Sequence, residues 1–305
     1  MPSLTLGRWT VHTVETGFLK LDGGSMFGSV PKPLWMKLQP PDERNRIRLA
    51  MRCLLLIGEG RVILVDDGVG EKLSPKLADI YGIEQERHTL ERSLAALGLA
   101  VEDVTDVVLT HLHFDHAGGS TRRDGDRLVP RLPRARYAIQ RRNLDNARTP
   151  NLRERASYMA ENFEPLAEHR CLDVWDGPRT PWPGIELFTA DGHTRGQQLV
   201  RVSGPEGVLY YVADVIPTSS HIRIPFVMGY DMAAIETMQE KRALLERAVA
   251  ERAWIVIEHD PEIAMGRPAP DGEDFTWAET VPANAAAPSG AESATATGVR
   301  QEPGR

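Results

Sequence analysis

The chain has 305 residues, of which 41% are hydrophobic and 26% charged, with a formal net charge of −7. This is ordinary globular composition, long enough to bury a core without staples and to form one large or two small domains. The acidic balance argues against a nucleic-acid partner. The two cysteines, Cys53 and Cys171, stand at no metal-binding spacing, so they read as reduced and structural and leave histidine and carboxylate as the available metal ligands.

The N-terminus, M-P-S-L-T-L-G-R-W-T, has no cationic start followed by a long apolar run, so no signal peptide is expected. No apolar run approaches the roughly 20 residues of a membrane helix, so no membrane partner is expected and the expected compartment is the cytoplasm. Residues 8–16 alternate as a strand does, with His12 a structural residue on it. Residues 17–48 are rich in glycine and proline yet carry Phe18, Met26, Phe27, Leu34 and Trp35. They predict a long ordered loop folded onto the body, either over a pocket or as edge packing. Its exposed part is a candidate homodimer contact.

Residues 49–58 and 61–66 predict two strands joined by a turn at Glu59-Gly60, the second ending in Asp66-Asp67-Gly68. Residues 84–97 have leucines at helical spacing, stopped by Gly98, with His88 on the solvated side. A short strand over 104–109 follows, then another over 135–139. The arginines between 122 and 142 read as a solvated surface. Residues 151–163 predict a helix capped by Asn151, and His169 lies on the surface. Strands are expected at 185–190, 198–203, 208–213 and 253–258, with a helix over 233–252 and an irregular, partly apolar segment over 215–232. From about residue 279 the composition turns to Ala, Pro, Ser, Thr and Gly, which predicts a disordered tail over 279–305.

Residues 110–119 read T-H-L-H-F-D-H-A-G-G and place His111, His113, Asp115 and His116 just past a buried strand. Strand residues two apart share a face, so His111 and His113 project together, and Gly118 and Gly119 permit a sharp turn after them. Imidazole nitrogen and carboxylate oxygen are the usual ligands of a borderline divalent metal. His193, in D-G-H-T-R-G, Asp214 and His259 each occupy the same kind of position, just beyond a predicted strand. Any one of them alone reads as structural. The shared position makes them candidate partners of the first cluster.

This ordered set resembles the metallo-β-lactamase superfamily. H-x-H-x-D-H matches in full at His111, His113, Asp115 and His116. D-G-H-T-x-G at His193 is similar to the second motif, Asp214 matches the bridging acid, and His259 the last histidine. V-D-D-G at 65–68 looks like the early strand motif, with Asp66 as its aspartate. The resemblance implies an α/β fold, a four-layer αββα sandwich with the metal site at one edge between the two sheets, forming a single hydrolase domain over residues 1–278. It implies that His111, His113 and His193 hold one metal ion, that Asp115, His116 and His259 hold a second, that Asp214 bridges them, and that Asp66 supports them from behind. Two departures stand out. Arg195 and Gln197 replace the proline and histidine of many relatives, and Asp67 takes a position that is often threonine.

Three imidazoles leave a metal an open position, and a bridging carboxylate sets two metals about 3.5–4 Å apart around one hydroxide. The expected cofactors are two divalent ions, zinc first, with iron, manganese or cobalt also compatible. Asp115 and Asp214 are the expected catalytic carboxylates. The bridging acid sets the chain apart from true β-lactamases. It fits lactonases, thioesterases of the glyoxalase II kind, organophosphate hydrolases and ribonucleases, the last disfavoured by the acidic charge.

Met26, Phe27, Trp35, Ile222, Phe226, Met228 and Tyr230 suggest an apolar pocket for a small-molecule substrate, with His221 and Tyr230 as substrate contacts or local packing. This plan is similar to acyl-homoserine lactonases and methyl-parathion-type hydrolases. It points to hydrolysis of a small-molecule ester, a lactone first. An iron-dependent dioxygenase or a non-catalytic binding protein are the remaining readings.

Overall fold

Leu54 and Leu56 of the strand Arg46–Gly58 enter one core, while Cys53 and Leu55 enter another. The same split occurs in the next strand, where Ile63 and Val65 face one core and Leu64 the other. Side chains alternate along a strand, so a sheet with apolar residues on both faces must be covered on both.

The computed structural model describes residues 2–283. The chain runs through β1 (Ser3–Leu6), β2 (Trp9–Asp22), α1 (Gly23–Phe27), α2 (Lys32–Trp35), β3 (Arg46–Gly58), β4 (Arg61–Val65), α3 (Pro75–Ile80) and α4 (Leu90–Ala95). β5 (Asp106–Val108), α5 (Phe114–Ala117), β6 (Thr121–Asp124), β7 (Arg127–Pro130), β8 (Arg136–Gln140), α6 (Arg141–Arg148), α7 (Glu164–Glu168) and β9 (Leu172–Trp175) follow. The second half contains β10 (Arg179–Trp182), β11 (Ile185–Ala190), β12 (Gln197–Gly204), β13 (Gly207–Tyr211), α8 (Ala234–Ala250), β14 (Trp254–Val256), β15 (Ile263–Asp271) and β16 (Asp274–Pro282).

Two seven-stranded sheets form, in the orders β1-β2-β3-β4-β5-β8-β9 and β10-β11-β12-β13-β14-β15-β16, with β6 and β7 a separate hairpin. β4, β5, β8 and β9 pair in parallel, as do β13 and β14. Parallel neighbours need a crossover, and the connections that carry α3 to α7 in the first half and α8 in the second supply it. Leu54, Leu56, Ile63, Val65, Val200, Leu209, Tyr211 and Val256 fill the space between the sheets. Leu90 and Leu94 of α4 and Leu144 of α6 cover the outer face of the first sheet, and Leu244, Leu245 and Ala248 of α8 that of the second. The result is the expected αββα sandwich.

Several local expectations change. Residues 17–22 extend β2 past a register shift between Glu15 and Phe18, and the rest of the expected loop forms α1 and α2 before β3 begins at Arg46. The helix expected over 84–97 shortens to α4, because Glu84 pairs with Phe18 in an isolated bridge and the Thr89 side chain caps the helix at Arg92 N. No long helix forms over 151–163. Asn151 Oδ1 does accept from Arg153 N and Glu154 N, but only short turns follow, at Arg155–Ser157 and Ala160–Asn162. Glu154 and Tyr158 turn inward to the site from this stretch. Residues 279–282 belong to β16, so the disorder expected from 279 does not hold for them; the rest of that expectation, over 284–305, lies outside the described residues.

Candidate active site

β5 ends at Val108, and Leu109 and Thr110 lead into His111 and His113, with Asp115 and His116 in the first turn of α5. His193 follows β11, Asp214 sits in the single turn Ala213–Val215 after β13, and His259 follows β14. Gly118 and Gly119 serve by close approach rather than by unusual dihedrals. A Cβ on Gly118 would meet Val69 O at 2.2 Å, and one on Gly119 would meet Asp67 O at 2.2 Å. The loop is thus pressed against residues 66–70, with Asp67 N donating to His116 O at 2.9 Å.

The structure brings all seven candidate ligands together. The donor atoms of His111, His113, His193 and Asp214 lie within 4.8 Å of one another, as do those of Asp115, His116 and His259. Asp214 sits between the two groups. Its Oδ2 is 3.0 Å from His193 Nε2, 3.6 Å from His116 Nε2 and 3.8 Å from His111 Nε2, and its Oδ1 is 3.0 Å from His259 Nε2. His111 and His116 are fully buried, whereas His113, Asp115 and Asp214 retain 6–7% exposure and mark the mouth of the site.

Each imidazole turns one nitrogen outward to an acceptor. His193 Nδ1 faces Asp231 Oδ1 at 2.9 Å, His116 Nδ1 faces Asp66 Oδ2 at 3.1 Å, and His259 Nδ1 donates to Ala50 O at 2.8 Å. His113 Nε2 faces Glu154 Oε1 at 3.3 Å. Thr110 Oγ1 donates to Asp66 Oδ2 at 2.7 Å and so accepts from His111 Nδ1 at 3.0 Å. Carboxylates and carbonyls only accept, so these partners keep a proton on the outer nitrogen and turn the inner one toward the centre, where it can bind an ion once it gives up any proton of its own. The inner nitrogens then crowd together: His111 Nε2 is 3.0 Å and His193 Nε2 3.2 Å from His113 Nδ1, and His259 Nε2 is 3.3 Å from His116 Nε2. Five inward-facing ring nitrogens at these distances around the buried carboxylate of Asp214 fit cations between them.

The charges are arranged to the same end. Burial raises the Asp214 carboxyl, but His193, His259 and His116 outweigh it and hold the pKa far below the usual range. Burial depresses His193, yet Asp214 and Asp231 carry it up to about 10; His259 reaches about 9, where burial is outweighed by Asp214 and Glu258. Burial and the neighbouring histidines push His111 far down. Asp66 (φ 58°) and Ala213 (φ 43°) hold the left-handed conformation, a strain of about 1–3 kcal/mol each that clusters at functional sites.

The expected apolar residues are divided by the fold. Met26, Phe27, Trp35 and Met228 pack in one cluster with Phe114, joined by the half-buried Tyr81, Met159, Phe226 and Tyr230. Met26, Phe27 and Trp35 are spent in this packing; Phe27 stacks on Trp35 with ring centres 5.4 Å apart. Ile222 lies elsewhere, under α8 with Leu244 and Leu245. His221 has both ring nitrogens engaged, by Thr218 Oγ1 at 2.7 Å and Met26 O at 2.8 Å, and burial pushes its pKa down to about 3. It ties α1 to the turn at 219–222. Tyr81 packs on Phe114, the neighbour of Asp115, with ring centres 4.6 Å apart, and the Tyr81 and Tyr230 phenols are both raised by burial, with the charge of Asp115 adding to the effect.

Thr110, Glu154, Asp231, Glu258 and Tyr81 lie outside the residues expected from the sequence. Thr110 and Glu258 adjoin ligands, and adjacency was the one signal that pointed to them. Glu258, fully buried beside His116 Nδ1 at 3.2 Å, has its pKa raised by burial, against the pull of His116. Asp67 is also buried; it accepts from Ser120 Oγ at 2.5 Å, and burial pushes it up to about 7.

A family model described as the metallo-beta-lactamase superfamily matches residues 52–259. A probable metallo-hydrolase of Mycobacterium tuberculosis is 28% identical over 254 residues, covering 72% of this chain and 78% of that protein. An N-acyl homoserine lactonase of Azorhizobium caulinodans is 29% identical over 194 residues, covering 61% of this chain and 70% of that protein. Among solved structures, a probable metal-dependent hydrolase from Staphylococcus aureus superposes with a TM-score of 0.85 at 27% identity, over 93% of this chain and 100% of that one. A dizinc quorum-quenching lactonase in complex with its N-acyl-homoserine product superposes with a TM-score of 0.74 at 21% identity, over 90% and 95% of the two chains. With the histidine motifs assembled at one edge between two sheets, this match establishes that the chain belongs to the metallo-β-lactamase superfamily of metal-dependent hydrolases.

Proposed function

We propose that this chain hydrolyses a small-molecule ester, a lactone first among them, at a centre of two divalent ions. The observation that carries the reading is the position of Asp214, with one oxygen toward His193 and the other toward His259. His111, His113 and His193 would hold one ion, Asp115, His116 and His259 the other, and Asp214 both. The nitrogen and oxygen donor set suits zinc. Such ions supply Lewis acidity at the carbonyl and make hydroxide available near neutral pH.

The chain's own groups do the rest. Asp115 is at the mouth, and among the described residues no hydrogen-bond donor reaches its carboxylate; Oδ2 lies 4.0 Å from His259 Nε2. One oxygen is enough for an ion, so the other can take the proton of the attacking water and pass it to the alkoxide released when the ring C–O bond breaks. Phe114 adjoins Asp115 and packs on Tyr81 with ring centres 4.6 Å apart, and the half-buried Phe226 and Tyr230 belong to the same cluster, an aromatic wall on which an acyl chain can lie. Relatives named N-acyl homoserine lactonase, at 25–29% identity, support the lactone.

The test is turnover of acyl-lactone, thioester and phosphotriester substrates by metal-loaded protein, with metal content measured on the same sample. Lactones should be turned over fastest, and His113→Ala should abolish activity. Thioesters or phosphotriesters turned over far faster than lactones would sink the lactone reading.

A further inference from the structure

Glu154 belongs to neither histidine motif, yet it is 2% exposed and sits between them. Its carboxylate accepts from Tyr158 Oη at 2.8 Å, Asn146 Nδ2 at 3.0 Å, Asn151 Nδ2 at 3.2 Å and the Thr194 hydroxyl, and it faces His113 Nε2 at 3.3 Å. Among the described residues no lysine or arginine pairs with it. A buried carboxylate without a cationic partner is expensive, and a neutral amide would keep one accepting oxygen but turn an N–H group toward the donors of Asn146 and Asn151.

The orientation of His113 explains why a charge is kept there. The other four imidazoles turn Nε2 inward, and His113 alone turns Nδ1 inward, toward His111 Nε2 at 3.0 Å and His193 Nε2 at 3.2 Å. That arrangement requires the proton on Nε2, and a carboxylate facing Nε2 enforces it. The Tyr158 ring, with its centre 4.8 Å from that of His113, limits rotation. Thr194, which also bonds Glu154, is the neighbour of His193, so one carboxylate braces the ligand loops of both sheets.

We propose that Glu154 is the positioning residue that holds His113 in its Nδ1-inward form and sets the metal affinity of the three-histidine half of the centre. The inference rests on the two-ion centre proposed above, not on the identity of the ester.

The test uses full-length protein stripped of metal and titrated with cobalt(II), followed by visible absorption and by competition with a chelator. Thermal melts of the stripped protein are recorded alongside. Glu154→Gln should bind cobalt at the three-histidine half about 10–100-fold more weakly with an altered visible spectrum, while the stripped variant melts within a few degrees of the wild-type temperature. Glu154→Asp, which withdraws the charge from His113 by one methylene, should weaken binding in the same direction and carries the test if the glutamine variant does not fold. Wild-type affinity and spectrum in the folded variants would overturn the assignment. So would weaker binding accompanied by a large fall in the stripped melting temperature, which marks a merely structural role. If wild-type protein binds no cobalt, the two-ion centre falls and this inference with it. Loaded wild-type protein that ignores lactones counts against the lactone alone.

Discussion

Ala50 and His259 exchange hydrogen bonds in both directions: Ala50 N donates to His259 O at 3.0 Å, while His259 Nδ1 donates to Ala50 O at 2.8 Å. A residue of the first sheet therefore fixes both the backbone and the ring of a candidate ligand that follows a strand of the second. Two residues further along β3, the buried Arg52 binds Glu15 Oε1 through Nε at 2.6 Å and Ile263 O through Nη1 at 3.1 Å, and it also reaches Ile257 O.

Arg52→Met should therefore loosen the seam beside His259. Removing one member of a buried ion pair costs roughly 3–5 kcal/mol, read as a lower urea midpoint with an unchanged slope. A loss below about 1 kcal/mol would place Arg52 among the weak surface pairs instead.

Asp67 imposes a pH dependence with a definite sign. Burial raises its folded pKa from 3.8 to about 7. The folded state thus prefers the protonated acid, so the contribution is fully present below about 3.8 and is lost as pH rises through about 7. Asp67→Asn removes this loss. Its urea midpoint should match wild type near pH 4 and exceed it at pH 8, whereas parallel profiles for the two proteins would refute the assignment.

Loading the centre must displace protons. Asp214 and its neighbours hold His193 at about 10 and His259 at about 9, so both imidazoles carry an extra proton at pH 8, and both must give it up to bind an ion. Zinc added to stripped protein in weak buffer at pH 8 should release protons measurably, and affinity should fall as pH is lowered. Binding without proton release would contradict the charge arrangement.

The aromatic wall predicts a chain-length effect. Phe226→Ala and Tyr230→Ala should raise KM for long-chain acyl-lactones about 10-fold while leaving short-chain substrates and kcat little changed, since each buried methylene is worth about 0.8 kcal/mol. Equal loss for short and long chains would move the acyl group elsewhere.

The candidate ligand set was legible because its signals are local. His111, His113, Asp115 and His116 fall within one short stretch behind an apolar strand, and His193, Asp214 and His259 each terminate one. The αββα layers followed from the resemblance, and strands such as β3 and β13 from their apolar runs. β15 and β16 were not legible: Pro268, Pro270 and Pro282 and an exposed outer edge break the pattern of a strand. Glu154 and Asp231 carry no motif, because a carboxylate behind a histidine is defined by the fold alone. Hydrophobicity could not separate Phe27 and Trp35, which stack in the interior, from Tyr230, which stays half-buried in the same cluster.

Among the described residues the polypeptide passes from the first sheet to the second once, across 176–178. Everything before that crossing contributes His111, His113, Asp115 and His116; everything after it contributes His193, Asp214 and His259. Neither stretch owns a complete set of donors. Chemistry at this edge is therefore conditional on the two halves having met in register, and a working centre certifies that the whole sandwich has been assembled correctly.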